Sequence, residues 1–262
     1  MATISPSRPS LDLTGRVVIV TGGATGIGKV YSQRLAEAGV RVVIADIVHD
    51  ANEKLAAELA GKGYEVLART TDVSSPEQTE AMAKAAADKW GRIDGLVNNA
   101  SLMSALGRKP WHEIPAEEWD RVMQVNTKGV FLCCKAVYPF MKKQGGGKIV
   151  NISSNRIYWG GTGRLHYSAS KGAVWVLTRA LAREVGCDNI CVNAVTPGFT
   201  LSETQVTTSA NQYLAKKQEV DKPLARDQIP DDLVGAVMFL LSDASNYMTG
   251  QTINVDGGHS MH

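Results

Sequence analysis

The sequence predicts one doubly wound α/β domain, with a seven-stranded parallel sheet between two helical layers. Three observations predict it. Apolar, β-branched runs alternate with long amphipathic stretches along the chain. The runs are continuous rather than alternating, so both faces of each strand are covered. A glycine-rich turn follows the first run and leads into the first helical stretch, the arrangement of an open α/β sheet that binds a ligand at its strand ends. At 262 residues the chain can bury one large core, and no repeat or internal linker divides it.

In order, the expected strands are Val17–Val20, Val40–Ala45, Tyr64–Ala68, Ile93–Val97, Lys148–Ile152, Ile190–Val195 and Gln251–Val255. Each is short and rich in Val and Ile, as buried strands are. Between them, helical periodicity runs over Ile27–Ala38, Ala51–Gly61, Pro76–Trp90, Trp119–Lys143 and Tyr167–Val185. Residues 1–12 read as a flexible tail and 13–262 as the domain. Residues 199–227 break the rhythm. They are polar, follow a strand's C-terminal end, and are expected to form a substrate lid.

Composition narrows the partners. The 28 basic and 26 acidic residues leave a net charge of +2 without long charged blocks, which argues against nucleic acid and polybasic membrane surfaces. No apolar run is long enough to span a membrane. The start of the chain lacks the apolar core of a signal peptide. Cys133, Cys134, Cys187 and Cys191 lack the companions of a metal site, so no metal is expected, and they fit a reducing, cytoplasmic setting.

The turn after the first strand reads Thr21-Gly22-Gly23-Ala24-Thr25-Gly26-Ile27-Gly28. Gly22, Gly26 and Gly28 let backbone approach a pyrophosphate, and the helix N-terminus offers N–H groups and a positive dipole end. Asp46 ends the second strand, eighteen residues after Gly28. A carboxylate there accepts ribose hydroxyls and repels a 2′-phosphate. Thr25 and Ile47 flank that position and neither is basic, so NAD is expected over NADP.

Tyr167 precedes Lys171 by four residues on an expected helix, with Ser154 thirteen residues upstream of the tyrosine. The spacing stacks phenol and ammonium on one face. A free phenol, with a pKa near ~10, is a poor base at neutral pH, and a nearby cation favours its phenolate. The pair can therefore exchange a proton with an alcohol or a ketone.

These stretches, together with Asp72-Val73, Asn98-Asn99-Ala100, Asn126, Pro197-Gly198 and the ending TGQTINVDGG, resemble the short-chain dehydrogenase/reductase family over nearly the whole chain. The resemblance implies a Rossmann-type fold and hydride transfer to a nicotinamide, with Tyr167 as acid/base and Ser154 holding the substrate oxygen. It implies that Lys171 tunes the phenol and grips the nicotinamide ribose, and that Asn126 binds a water linking Lys171 to solvent. Asp72 and Val73 would meet the adenine. Asn98 and Ala100 would line the cofactor, and Pro197, Gly198, Thr200 and Ser202 would hold the nicotinamide end. The family pattern has Gly where this chain has Ser101. The family also implies a homotetramer built on the two long helices and the last strand.

Ser101, Met103, Arg156, Tyr158, Trp159, Phe199 and Leu201 are expected to edge the substrate pocket. Their apolar and aromatic content suggests a hydrophobic, cyclic or aromatic secondary alcohol or ketone. Arg156, Arg164 and His166 raise a second option, a carboxylate- or phosphate-bearing substrate, and sugar or pyridoxine-like alcohols are also compatible. A non-catalytic NAD(H) sensor is the alternative from another class; retention of the Ser–Tyr–Lys set argues against it. Met261-His262 could reach a neighbouring subunit.

Overall fold

The computed structural model of the chain describes residues 10–204 and 222–261. The expected lid lies largely outside the described residues, as do most of the expected tail and His262. The sheet comprises β1 (Val17–Thr21), β2 (Arg41–Asp46), β3 (Val66–Thr70), β4 (Gly95–Asn98), β5 (Gly147–Ile152), β6 (Ile190–Pro197) and β7 (Thr252–Val255). All pairs are parallel in the order β3-β2-β1-β4-β5-β6-β7. The chain winds outward from β1 to β3, then crosses back to pair β4 with β1. The C-terminal ends of β1 and β4 thus border a topological switch point, where open α/β sheets bind ligands.

Strand alternation fills two cores. Val18 and Val20 of β1 face one side, with Val42 and Ile44 of β2. There they meet Leu35 of α1 (Gly26–Glu37), Leu59 of α2 (His49–Gly61) and Leu240 of α8 (Asp231–Leu241). Val17 and Ile19 face the other side. Their partners include Met82 of α3 (Pro76–Trp90), Val137 of α5 (Gly129–Gln144) and Val174 of α7 (Leu165–Val185). The period-two switch of side-chain direction lets one short strand anchor both layers.

Most element ends lie within one or two residues of the sequence expectation, and three differences have a local reason. The third strand begins at Val66 instead of Tyr64, because Tyr64 N–H still bonds Leu59 O at the end of α2 and Gly63 turns the chain at φ +89°. The helix expected over Trp119–Lys143 is two helices, α4 (Ala116–Met123) and α5, joined by a π-helical turn at Gln124–Lys128. That turn carries Asn126, and wide turns of this kind often mark functional positions. The helix α8 has apolar residues on most of its faces, and one-sided periodicity does not reveal it.

Candidate active site

The glycine turn is a fitted cradle. Gly22 and Gly26 adopt φ +59° and +55°, which disfavour any side chain. A Cβ on Gly22 would lie 2.9 Å from the Ala100 Cα, and one on Gly28 would collide with the Gly22 carbonyl oxygen. Asn99 braces the same turn: its Nδ2 donates to the carbonyls of Thr21 and Gly22, both at 3.0 Å. Thr21 Oγ1 returns the contact by accepting Asn99 and Ala100 N–H, both at 3.1 Å. The sequence motif gives Asn99 no role; its chance to brace the turn depends on β4 lying beside β1, which local sequence does not specify.

The N-terminus of α1 begins at Gly26, and its N-cap residue Thr25 makes no side-chain cap bond. A carboxylate already lies there. Glu203 Oε1 accepts Gly26 N–H at 3.4 Å, and its Oε2 pairs with Lys29 Nζ at 3.1 Å. A backbone donor at a helix N-terminus beside a lysine is the donor set that suits a pyrophosphate, and the cradle accepts an oxyanion of protein origin. The residues present fit a dinucleotide. Ile27 and Gly28 occupy the first turn behind Gly26.

At the adenosine end, Asp46 is buried at the tip of β2. Its two oxygens accept Ala24 N–H at 3.0 Å and Val48 N–H at 3.1 Å. The carboxylate thereby ties the glycine turn to the end of β2. Ile47 beside it is exposed. Asp72 Oδ1 accepts both Ser74 N–H and Ser74 Oγ–H, while Val73 is buried against Gly129, where a Cβ would approach Val73 Cγ2 to 2.8 Å.

The proton-transfer group comes from three elements. Ser154 follows β5, Tyr167 and Lys171 lie one turn apart on α7, and all three are buried. Lys171 Nζ donates to Ile152 O at 2.8 Å and lies 5.7 Å from the Tyr167 ring centroid. Burial pushes the Lys171 pKa down to about 8. Burial also pushes the Tyr167 phenol above its ordinary value; the hydrogen bond with Ser154 and the charges of Arg156 and Arg164 act in the opposite direction. The sequence had pointed to Lys171 as the tuning cation, and the opposing charges here are arginines. Asn126 is completely buried. Its Oδ1 accepts Leu102 N–H at 2.7 Å, and its Nδ2 donates to Leu102 O and Ser170 Oγ at 3.2 and 3.1 Å. The π turn thus pins the loop after β4 to α7.

The remaining expected residues separate. Asn98 turns into the sheet, where its Nδ2 donates to Asn151 Oδ1 at 2.8 Å, and Asn151 in turn donates to Thr178 Oγ1. Ala100 lies beside Gly22. Pro197 ends β6, and Gly198 packs tightly on Asp256, whose Cβ would be 2.8 Å from an added Cβ. Thr200 and Ser202 are buried; the Ser202 hydroxyl bonds Thr204 Oγ1, which crowds Gly26. Leu201 N–H bonds Gln228 O at 2.8 Å. Ser101, Phe199 and Trp159 are exposed, and Met103 packs with Leu102, Leu106 and Val122 against Tyr167. Arg156 and Tyr158, on the short helix α6 (Arg156–Trp159), line a groove along α7 with Ser168, Gly172, Trp175 and Val176. His166 is fully buried and paired with Glu118 at 2.9 Å. The C-terminal turn also reaches this wall: His259 packs on Trp159 at 5.2 Å between centroids, and Asn155 Nδ2 donates to Asp256 Oδ2 at 3.1 Å.

A family model described as enoyl-(acyl carrier protein) reductase matches residues 22–260. The chain belongs to the short-chain dehydrogenase/reductase family. It is 37% identical over 253 residues to the (2S)-[(R)-hydroxy(phenyl)methyl]succinyl-CoA dehydrogenase subunit BbsD of Thauera aromatica, covering 96% of this chain and 99% of that protein. A short-chain type dehydrogenase/reductase from Mycobacterium marinum superposes with a TM-score of 0.88 at 36% identity, covering 96% and 98% of the two chains. A 7α-hydroxysteroid dehydrogenase complexed with NADH and 7-oxo glycochenodeoxycholic acid superposes with a TM-score of 0.87 at 33% identity, covering 95% of each. The family binds a nicotinamide cofactor and acts as an oxidoreductase on small molecules. Among the described residues no helix is long and apolar enough to cross a membrane.

Proposed function

We propose that this protein is an NAD-dependent dehydrogenase that interconverts a secondary alcohol and a ketone on a cyclic or aromatic small molecule. The observation that carries the reading is the buried Tyr167 phenol, hydrogen-bonded to Ser154, one turn from Lys171 and packed beside the loop that follows β4. Gly22, Gly26, Gly28 and the N-terminus of α1 would hold a nicotinamide dinucleotide, which would supply the hydride acceptor or donor. Tyr167 Oη takes the hydroxyl proton of the alcohol, or returns it to the ketone oxygen. Ser154 Oγ fixes that oxygen and offers a hydrogen bond where negative charge develops. Arg156 and Arg164 favour the phenolate against its burial, and Lys171, with its pKa near 8, carries a positive charge one turn away through most of the neutral range. Asn126 keeps the loop carrying Leu102 in register with α7.

NAD is preferred because Asp46 places a carboxylate at the ribose end, bound to the turn by Ala24 N–H. A homotetramer is supported by two exposed apolar side chains on the outer helices, Phe131 of α5 and Val176 of α7. The four free cysteines suit a reducing compartment.

Two measurements test the reading. Tyr167→Phe should lower kcat by about 10²–10⁴-fold while NADH still binds, as followed by nucleotide fluorescence; undiminished turnover would remove the acid/base role. Asp46→Ala should shift the ratio of kcat/KM for NAD to that for NADP by roughly tenfold or more toward NADP. Equal use of both cofactors by the wild type would remove the ribose argument.

A further inference from the structure

Three arginines converge beside Tyr167 without an acidic partner among the described residues. Arg164 precedes α7 by one residue, three before the catalytic tyrosine. Its Nε donates to Leu106 O at 3.0 Å and its Nη1 reaches Met103 Sδ at 3.7 Å. Leu106 and Met103 pack directly with Tyr167, so the guanidinium lies over the same apolar cluster. Arg108 belongs to the adjoining loop. Lys109 N–H bonds Gly163 O at 3.1 Å, and a Cβ on Gly163 would contact Arg108 Cβ and Cγ at 3.4 Å. Arg156 completes the group. Its Nε donates to Ser168 Oγ at 3.0 Å and its Nη2 to the carbonyls of Gly161 and Thr162.

Five arginines elsewhere, Arg16, Arg34, Arg41, Arg92 and Arg226, are each neutralised by a carboxylate. The acid near the rim, Glu118, is already divided between Lys109 and His166. The three rim arginines repel one another, and burial together with that repulsion pushes the pKa values of Arg156 and Arg164 down. Converging like charges in a half-buried place are costly unless an anion joins them. Among the described residues Arg108 donates to no acceptor, and Arg164 uses only Nε and Nη1, so donors remain for such an anion.

We propose that Arg108 and Arg164, reinforced by the charge of Arg156, bind a carboxylate on the substrate and so make the preferred substrate a hydroxy or oxo acid. A guanidinium fork matches a planar carboxylate in two parallel hydrogen bonds. The Arg164 guanidinium reaches Met103 and Leu106, which belong to the same apolar cluster as Tyr167, so a compact molecule can place its carboxylate on Arg164 and its carbinol oxygen at Tyr167. The rim would also orient the reacting carbon, which is where binding energy raises kcat as well as affinity. The inference rests on the alcohol/ketone reading only for the chemistry that follows binding.

The test separates the two. Cyclohexanecarboxylate and cyclohexanecarboxamide, equal in size and shape, are titrated calorimetrically into the full-length protein with and without NADH. The carboxylate should bind about tenfold more tightly, as charge-assisted hydrogen bonds allow. Arg108→Gln and Arg164→Gln should each reduce that preference, and the double variant should bring the two ligands level. Circular dichroism checks folding; should Arg164→Gln unfold, the exposed Arg108 carries the comparison alone. Equal binding of the two ligands by the wild type, or a preference unchanged in folded Arg108→Gln, overturns the proposal. Tighter binding of cyclohexyl phosphate than of the carboxylate overturns the choice of carboxylate. Turnover of cyclohexanone with NADH and no carboxylate preference would remove the rim and keep the oxidoreductase reading. A carboxylate preference without turnover of cyclohexanone or 3-oxocyclohexanecarboxylate would keep the rim and remove that reading.

Discussion

The dinucleotide half and the proton-transfer half of the cleft are built from different materials. From β1 to β2 the site is backbone: glycines at positive φ, a helix N-terminus, and carbonyls braced by Asn99. From β5 to α7 it is side chain: Ser154, Tyr167, Lys171 and Asn126, all buried and each fixed by a named partner. The first half binds a ligand shared by many enzymes, so bare peptide groups suffice. The second must hold a proton at one place, and that requires groups whose charge depends on their surroundings.

Gly28→Ala is the sharpest way to break the contrast, and it should have the largest effect of the variants that follow. The new methyl would run into the Gly22 carbonyl oxygen, a backbone atom that cannot yield without moving the turn. Overpacking of this kind costs about 1–3 kcal/mol, and the distorted cradle should weaken NADH binding by roughly 10–100-fold. Fluorescence titration measures the affinity and thermal unfolding the stability. Wild-type NADH affinity in this variant would mean the cradle is not the cofactor site.

Much of this was legible in the chain because it is local. Strand runs, the glycine turn and the Tyr167–Lys171 spacing each lie within a few residues, and the parallel sheet follows from their order. What escaped depends on distant segments meeting. Asn99 braces Thr21 and Gly22 across 77 to 78 positions, and Glu203 reaches Gly26 across 177. Arg108 gains meaning only where its loop adjoins Gly163. The π turn at Asn126 was hidden for another reason: its sequence keeps helical periodicity, and only the bonds to Leu102 and Ser170 account for the wider turn. Arg156 and Tyr158 stand near Ser154 in sequence, yet they also line a groove along α7 with Gly172, Trp175 and Val176.

Glu203 offers a gentler perturbation of the backbone half. Its carboxylate holds Gly26 N–H and Lys29, the donors a pyrophosphate would use, and its charge opposes the incoming phosphates. Glu203→Gln keeps the side-chain length and removes the charge. NADH should then bind about 3–10-fold more tightly, with the gain shrinking as salt screens the charge. Weaker binding would mean that Glu203 supports the bound state instead of competing with it.

The side-chain half should reveal itself through pH, with the smallest effect of the series. Burial lowers the Lys171 pKa from the usual 10.5 to about 8. Between those values the unfolded chain holds a proton that the folded chain has released, so stability gains with rising pH across that window. Below pH 8 both states are protonated and the burial penalty is fully present; above 10.5 both are neutral and it is gone. The slope from this one group cannot exceed ~1.4 kcal/mol per pH unit. Other lysines and tyrosines titrate over the same range, so the measurement is a difference. Urea unfolding of wild type and Lys171→Met at about pH 7.5 and about pH 9.5, one below the window and one well inside it, should show the wild type gaining on the variant as pH rises. Parallel curves would mean that Lys171 keeps its proton in the fold, and its charge beside Tyr167 would then persist well into the alkaline range.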